Sequence, residues 1–291
     1  MYSLKGIKLY FFSILKLFFL SIKNYYLRSN FYNNKLITFI PDRFFYSPSL
    51  YLTVPLITVN NDFYKITNTS LELLWKTSRK NKKEFENLHS FLWLTKLDRK
   101  NNKTITKNII SSWIENFFNY DPYAWKMEIT AKRIIAWSSN TDITLENSQK
   151  NYKEKFFSSI IRQSNFLLKN IKNSSYDSNK IICCAAIILS GMIFEGNDLN
   201  YKAGIKELEK FIKNYFDKNG FPKSRNPEEV FICLKYLILI REWLKEAQKS
   251  IPDFLNEIIP KCGNCYTTLC CSNSQFPLFN GAGEIDYKDY K

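Results

Sequence analysis

The sequence predicts an all-α fold built from layered helices. From about residue 109 to residue 244, apolar residues recur at the three- and four-residue spacing of one helical face, in four successive stripes. Between the second and third stripes, residues 181–194 read IICCAAIILSGMIF, which is apolar on every side, so other helices must enclose this one. The sequence lacks the alternation of strands and helices that is typical of a doubly wound sheet. It also lacks the fixed repeat that is typical of a solenoid of identical units.

Residues 1–32 predict an amphipathic helix. The run LYFFSILKLFFLSI at residues 9–22 places its apolar residues on one helical face: Phe11, Phe12, Leu15, Phe18, Phe19 and Ile22. Lys5 and Lys8 precede the run as in a signal peptide, but Lys16 interrupts it and no small-x-small cleavage site follows. We expect this helix to pack on the body or to lie at a membrane surface, with an uncleaved signal-anchor as the alternative.

Residues 33–70 predict a connecting segment that is extended and partly strand-like. It contains SLYLTVPLITV, rich in β-branched and aromatic residues, and Pro48 and Pro55 confine any strand to a sheet edge. After it, we expect one helical domain over residues 71–260 and a C-terminal segment over residues 261–291.

Composition places the chain in the globular class and suggests an anionic partner. The chain has 291 residues, 45% of them hydrophobic, and its 42 Lys+Arg against 27 Asp+Glu give a net charge of +15. Such a surplus suits an anionic partner, but the lysines are scattered, so a compositional bias that leaves solvated lysine faces explains it equally well. Because no nucleic-acid-binding module and no basic stripe occur, we expect no nucleic acid partner.

The spacing of the cysteines suggests a metal site, but other features of the sequence argue against one. Four of the seven form a C-x2-C-x4-C-C pattern: Cys262, Cys265, Cys270 and Cys271. Adjacent cysteines chelate one ion poorly, and neither a second C-x2-C nor a histidine lies nearby, so we expect no metal site. The phosphate-binding glycine motifs are also missing, and no cofactor is expected. The odd total and the apolar setting of Cys183, Cys184 and Cys233 indicate reduced thiols, which favours a reducing compartment unless the N-terminal segment directs export.

Six motifs in order resemble one enzyme family. They are LHSFLWLTKL (88–97), WIENFFNYDPYAWKMEITAKRIIAW (113–137), RQSNFLLKNI (162–171), CCAAIILSG (183–191), NGFPKSRNPEE (219–229) and PLFNGAGE (277–284). The series resembles the helical half of the heparinase II/III family of polysaccharide lyases. The resemblance implies an incomplete (α/α) toroid of paired inner and outer helices. Where the family continues into a large β-sandwich domain, this sequence stops at Lys291, so we expect that domain to be absent.

The resemblance also implies a chemistry. Lyases of this family cleave acidic polysaccharides that contain uronic acid by β-elimination, which needs a neutralised carboxylate, a base for the C5 proton and an acid for the leaving oxygen. Asn179 matches the residue that neutralises the carboxylate, but Lys180 stands where a histidine often follows. The one histidine, His89, lies in LHSFLWL beside aromatic residues and fits a packed side chain better than a proton carrier. The catalytic set therefore looks incomplete.

Five further residues are candidates for substrate binding: Tyr123, Trp125, Arg133, Trp137 and Arg225. Aromatic rings would support sugar rings, and guanidinium groups would grip carboxylates in bidentate fashion. The alternative is that Trp125 and Trp137 belong to the core, and that Arg133 pairs with Glu128 or a helix C-terminus.

Three functions follow from these observations. The first is the helical half of a heparinase-like lyase that acts on acidic polysaccharide and is inactive without a separately supplied β-sandwich domain. The second is a non-catalytic glycan-binding or scaffold protein. The third is a basic protein that binds nucleic acid or a membrane surface, supported by charge and aromatic content alone.

Overall fold

The computed structural model describes residues 4–53, 73–75, 81–270 and 277–283. Its α-helices, in chain order, are α1 (Leu4–Arg28), α2 (Asn30–Asn34), α3 (Leu50–Thr53), α4 (Lys82–Ser90), α5 (Lys103–Phe117), α6 (Met127–Ser139), α7 (Thr141–Thr144), α8 (Lys150–Asn170), α9 (Asn179–Ile193), α10 (Asp198–Tyr215), α11 (Pro227–Glu246) and α12 (Asp253–Leu269). Two 3-10 helices span Leu92–Lys96 and Ile171–Asn173. Over these ranges, β pairing is limited to an isolated bridge between Phe216 and Pro222, so the all-α prediction is confirmed.

The helices form two rows. Helix α9 packs between α6 and α11, and α4 packs on α6, which makes an inner row of α4, α6, α9 and α11. The outer row is α5, α8, α10 and α12, where α8 contacts α5, α6 and α9, α10 covers α9, and α12 covers α11. Inner and outer helices therefore alternate along the chain, as expected for an incomplete toroid of paired helices.

Helix α9 is the most enclosed element. Every residue from 180 to 193 is buried, which confirms the enclosure expected from its all-apolar sequence. Gly191 lets α10 approach closely, because a Cβ atom built there would lie 2.2 Å from the backbone nitrogen of Tyr201.

Two inner helices, α4 and α11, begin at asparagines whose side chains satisfy free backbone N–H groups. The Asn81 side chain accepts from the N–H groups of Lys83 and Glu84 at the start of α4. At the start of α11, Asn226 accepts from the N–H of Glu228 at 2.8 Å, and Pro227 occupies the first turn. These caps stabilise the first turns of α4 and α11.

Helix α1 is the predicted N-terminal helix, but its apolar side chains do not pack on the body. The exposed ones include Leu9, Tyr10, Phe11, Phe12, Ile14, Leu17, Phe18, Phe19, Leu20, Ile22 and Tyr25. The attachment lies at its last turns, where Leu27 is buried and its carbonyl accepts from the Asn33 side chain at 3.0 Å. Among the described residues, no helix combines the length and apolar character needed to cross a bilayer.

The connecting segment and one expected segment boundary differ from the structure. Residues 37–49 form neither helix nor strand and run along the body, where the Phe45 N–H donates to the Ile193 carbonyl at 2.8 Å. The strand-like run expected at residues 49–59 is helical where the structure describes it, in α3, and residues 54–70 lie outside the described residues. The boundary expected at residue 260 falls inside α12, because Leu255, Ile258, Ile259 and Cys262 are buried and tie that helix to the body.

Candidate functional site

The inner row carries two lysines that are partly withdrawn from solvent. Lys132 lies on α6, one turn after Glu128, and Lys235 lies on α11; both side chains are half-buried. The described residues offer neither amine a hydrogen bond or an ion pair. We call Lys132 and Lys235 the inner lysine pair.

The surroundings of Lys132 combine two carboxylates with a buried thiol. Burial lowers the pKa of Lys132, and the charges of Glu128 and Glu86 partly offset that effect. Cys183 of α9 lies in the same neighbourhood, and burial raises the pKa of its thiol well above the usual value. Cys183 is therefore a neutral apolar neighbour of Lys132 and not a nucleophile.

Lys235 is the more perturbed amine of the pair. Burial, together with the positive charge of nearby Lys132, lowers its pKa to about 7. Its Nζ atom lies 5.7 Å from the centre of the Phe231 ring and 5.4 Å from that of Tyr236, so two aromatic rings lie beside it. A carboxylate or sulfate placed between the two amines would offset their repulsion and favour the charged form of Lys235.

Arg133 does not point into this site. Its side chain is fully buried, and it donates to Gln163 Oε1 at 2.7 Å and to the carbonyls of His89 and Ala124 at 2.8 and 3.0 Å. The guanidinium also stacks over Trp113 at 4.0 Å, and burial lowers its pKa well below the usual value. With its donors committed to the core, Arg133 is not available to grip a carboxylate, and the predicted binding role is corrected to a packing role.

Trp125 and Trp137 are also core residues. Trp125 is 1% exposed, and its indole N–H donates to the Phe117 carbonyl at 2.9 Å. Trp137 is fully buried and stacks on Phe156 with ring centres 5.3 Å apart. Neither ring presents a face to a sugar, so the alternative of core aromatics describes both.

The other three predicted residues are exposed and lie on separate elements. Tyr123, 61% exposed, precedes α6; Asn179 opens α9, where its backbone N–H donates to Asp177 Oδ1 at 3.0 Å. Arg225 precedes α11 and forms an ion pair with Asp217 at 2.8 Å. Among the described residues no hydrogen bond or ring contact joins these three, and their roles in binding or catalysis stay predictions.

His89 and the cysteines take structural positions. His89 is fully buried, stacks on Phe85 at 3.9 Å, and accepts from the Trp113 indole N–H through Nδ1 at 3.0 Å. In α12, the thiols of Cys262 and Cys265 donate to the carbonyls of Gly220 and Asn219. Cys271 lies outside the described residues, and within them no group of three or more potential metal ligands occurs.

The inner lysine pair was missed at the sequence level, although a signal was present. Lys235 interrupts the apolar run ICLKYLILI, and Lys132 stands beside Arg133 in EITAKRIIAW. A lysine within a helix can be exposed or partly buried. Which of the two applies depends on the helices that pack around it, and these are known only from the fold.

Comparisons with known proteins bear on the fold. No protein-family model matches the sequence, and no curated protein matches it. In structure, the chain is similar to the heparan sulfate lyase HepC from Pedobacter heparinus, with a TM-score of 0.53 and 12% identity over 78% of this chain and 36% of that chain. A mutant of that lyase gives a TM-score of 0.55 at the same coverage. A heparinase III structure gives 0.52 and 14% identity over 76% of this chain and 38% of that chain.

The coverage limits what these likenesses show. The chain spans less than two fifths of the length of each of these lyases, although most of this chain is matched. At 12–14% identity, the likeness concerns the fold and carries no assignment of activity. The helical body described here has the fold of part of a heparinase-type lyase, as the six motifs in the sequence implied.

Proposed function

We propose that this chain is the helical half of a heparinase-like polysaccharide lyase, and that its inner row binds acidic polysaccharide containing uronic acid. The observation that carries the proposal is the likeness of the helical body to structures named heparan sulfate lyase and heparinase III. The inner lysine pair supplies chemistry suited to such a ligand, because partly desolvated amines attract carboxylates and sulfates more strongly than exposed ones do. Asn179, Tyr123 and Arg225 remain proposed contacts at the ends of the inner helices.

Eliminative cleavage needs proton transfer in addition to binding. His89 does not serve, because its ring is enclosed by Phe85, Trp113 and Phe117 in the core. We therefore propose that proton-transfer groups from a β-sandwich domain are needed to complete the reaction. The test is ultraviolet absorbance of unsaturated uronate product, measured with a panel of uronic-acid polymers, with and without such a domain. Product from this chain alone would overturn the requirement for a partner domain.

Binding is tested separately from cleavage. The double variant Lys132→Gln/Lys235→Gln removes the inner lysine pair, and Lys155→Gln/Lys206→Gln removes two exposed lysines from the outer helices α8 and α10. We expect the inner variant to weaken heparan sulfate or alginate binding at least about tenfold, and the outer variant to change it little, because screened surface charges contribute little. A neutral glucan is the ligand control. Equal losses in the two variants would contradict the assignment of the site to the inner row.

A second candidate is a non-catalytic glycan-binding protein. The burial of the lone histidine favours it, since a group that moves protons in this family's reaction is then missing from the exposed surface. Binding to acidic polysaccharide without unsaturated product, under all the conditions above, would select this candidate.

A further inference from the structure

The exposed surface of α1 is unlike the rest of the protein. This helix spans 25 residues, about 37 Å at 1.5 Å per residue, and contacts the body only near its C-terminal end. Large apolar and aromatic side chains cover it, including Phe12 at 66% exposed, Leu17 at 64% and Phe19 at 64%. A contiguous apolar surface of this length indicates a partner.

The charge of the same segment indicates the chemistry of that partner. The first acidic residue of the chain is Asp42, whereas several cations precede it: Lys5, Lys8, Lys16, Lys23, Arg28 and Lys35. Lys8, Lys16 and Lys23 fall within about 80° of one another around a helix of 3.6 residues per turn, so they project from one side of α1. Large rings sit beside these lysines, and aromatic residues are enriched where a membrane meets water.

We propose that α1 lies in the interface of a membrane rich in anionic lipid, with its apolar side chains among the acyl chains and its lysines at the headgroups. Long lysine side chains bury their methylene groups and keep the ammonium in the headgroup layer. Anionic headgroups attract a cationic segment that carries no acid of its own. Because Leu27 and Asn33 fasten the C-terminal end of α1 to the body, the helical body would be held next to the membrane.

A second copy of the chain is a less suitable partner. Two α1 helices packed together would bring their lysines close to one another, and no acidic residue in this segment would pair with them. The membrane proposal stands independently of the proposed polysaccharide function, because no residue of α1 belongs to the inner row.

The test uses the full chain in sedimentation with vesicles of phosphatidylcholine alone, or of phosphatidylcholine mixed with phosphatidylserine. We expect binding to the phosphatidylserine vesicles that weakens with added salt. Two variants separate the apolar contribution to binding from the electrostatic one. Phe18→Ser/Phe19→Ser removes apolar contact, and Lys16→Glu/Lys23→Glu reverses charge. Each should lower binding at least about tenfold, since apolar burial and headgroup attraction both contribute. The matched charge control is Lys155→Glu/Lys206→Glu on the outer helices, which should bind as the unaltered chain does.

Three results would overturn the proposal. The first is equal binding to both vesicle types; the second is unchanged binding by both α1 variants. The third is self-association without lipid, seen by light scattering and abolished by Phe18→Ser/Phe19→Ser, which would assign α1 to a second copy. A thermal melt of each variant shows whether the body is folded.

Discussion

Among the described residues, α9 and α1 are the two most apolar long helices, and they occupy opposite environments. Helix α9 is buried along its length between α6, α10 and α11, whereas α1 exposes its large side chains to solvent. The difference lies in side-chain size and in the spacing of charge. Helix α9 carries Ala185, Ala186 and Gly191, which allow close approach, and its one lysine is in the first turn. Helix α1 carries large aromatic rings, with lysines spaced along its length.

The comparison teaches that apolar content alone does not make a core helix. Close packing requires small residues where helices cross, and a cation within the contact would have to lose its hydration. We therefore expect α9 to contribute to the stability of the body and α1 to contribute almost nothing. Paired substitutions in the two helices test that expectation.

The largest expected difference in stability is between two glycine-to-alanine substitutions, one in α9 and one in α1. In Gly191→Ala, the new methyl group would lie 2.2 and 2.6 Å from the backbone N and Cα of Tyr201, so α9 and α10 must separate. We expect a loss of about 3 kcal/mol or more in the free energy of unfolding, measured by urea titration. In Gly6→Ala, nothing lies within 4 Å of the added methyl, and the urea midpoint should be unchanged. Equal losses of stability in Gly191→Ala and Gly6→Ala would contradict the expected difference between α9 and α1.

Removal of a large apolar side chain should give the next largest difference. Leu189→Ala empties a fully buried position in α9, and we expect it to cost about 2–5 kcal/mol through lost transfer energy and the cavity left behind. Phe18→Ala removes a larger side chain that is 58% exposed, and its effect on body stability should stay within about 0.5 kcal/mol. Urea unfolding followed by tryptophan fluorescence reports the body, because no tryptophan precedes Trp75. A cost above about 1 kcal/mol for Phe18→Ala would show that α1 packs on the body in solution.

The contrast between α9 and α1 also explains how much of the structure could be predicted from the sequence alone. Helical spacing and the all-apolar run at residues 181–194 predicted the layered helices, because both signals depend on neighbours along the chain. The roles of Trp125, Arg133 and Trp137 could not be decided, since a buried arginine requires partners that are distant in sequence. Those partners are Gln163, 30 residues later, and the His89 carbonyl, 44 residues earlier. The inner lysine pair likewise arises from two helices that only the fold brings together.

The smallest predicted effect is the pH dependence of stability caused by Lys235. It tests whether a cation in the inner row behaves differently from the lysines of α1. Its pKa of about 7 in the folded chain lies below the ordinary 10.5, so between these values the unfolded chain binds more protons than the folded one. Stability should therefore rise with pH across that window, by about 1 kcal/mol between pH 7 and pH 8, and level off below pH 7, where both states are charged.

Lys235→Met should remove this rise and raise the free energy of unfolding at pH 7, because a hydrated charge need no longer be buried. Lys16→Met is the matched control on α1: it removes a lysine whose side chain is already exposed, and the rise should persist. Urea titrations at pH 6, 7 and 8 decide between these outcomes. If the rise survives in Lys235→Met, the amine of Lys235 is hydrated in solution and the inner row is more open than its packing indicates. If the rise is lost in Lys235→Met and acidic polysaccharide also suppresses it in the unaltered chain, the ligand places an anion beside Lys235, because a bound carboxylate favours the charged amine.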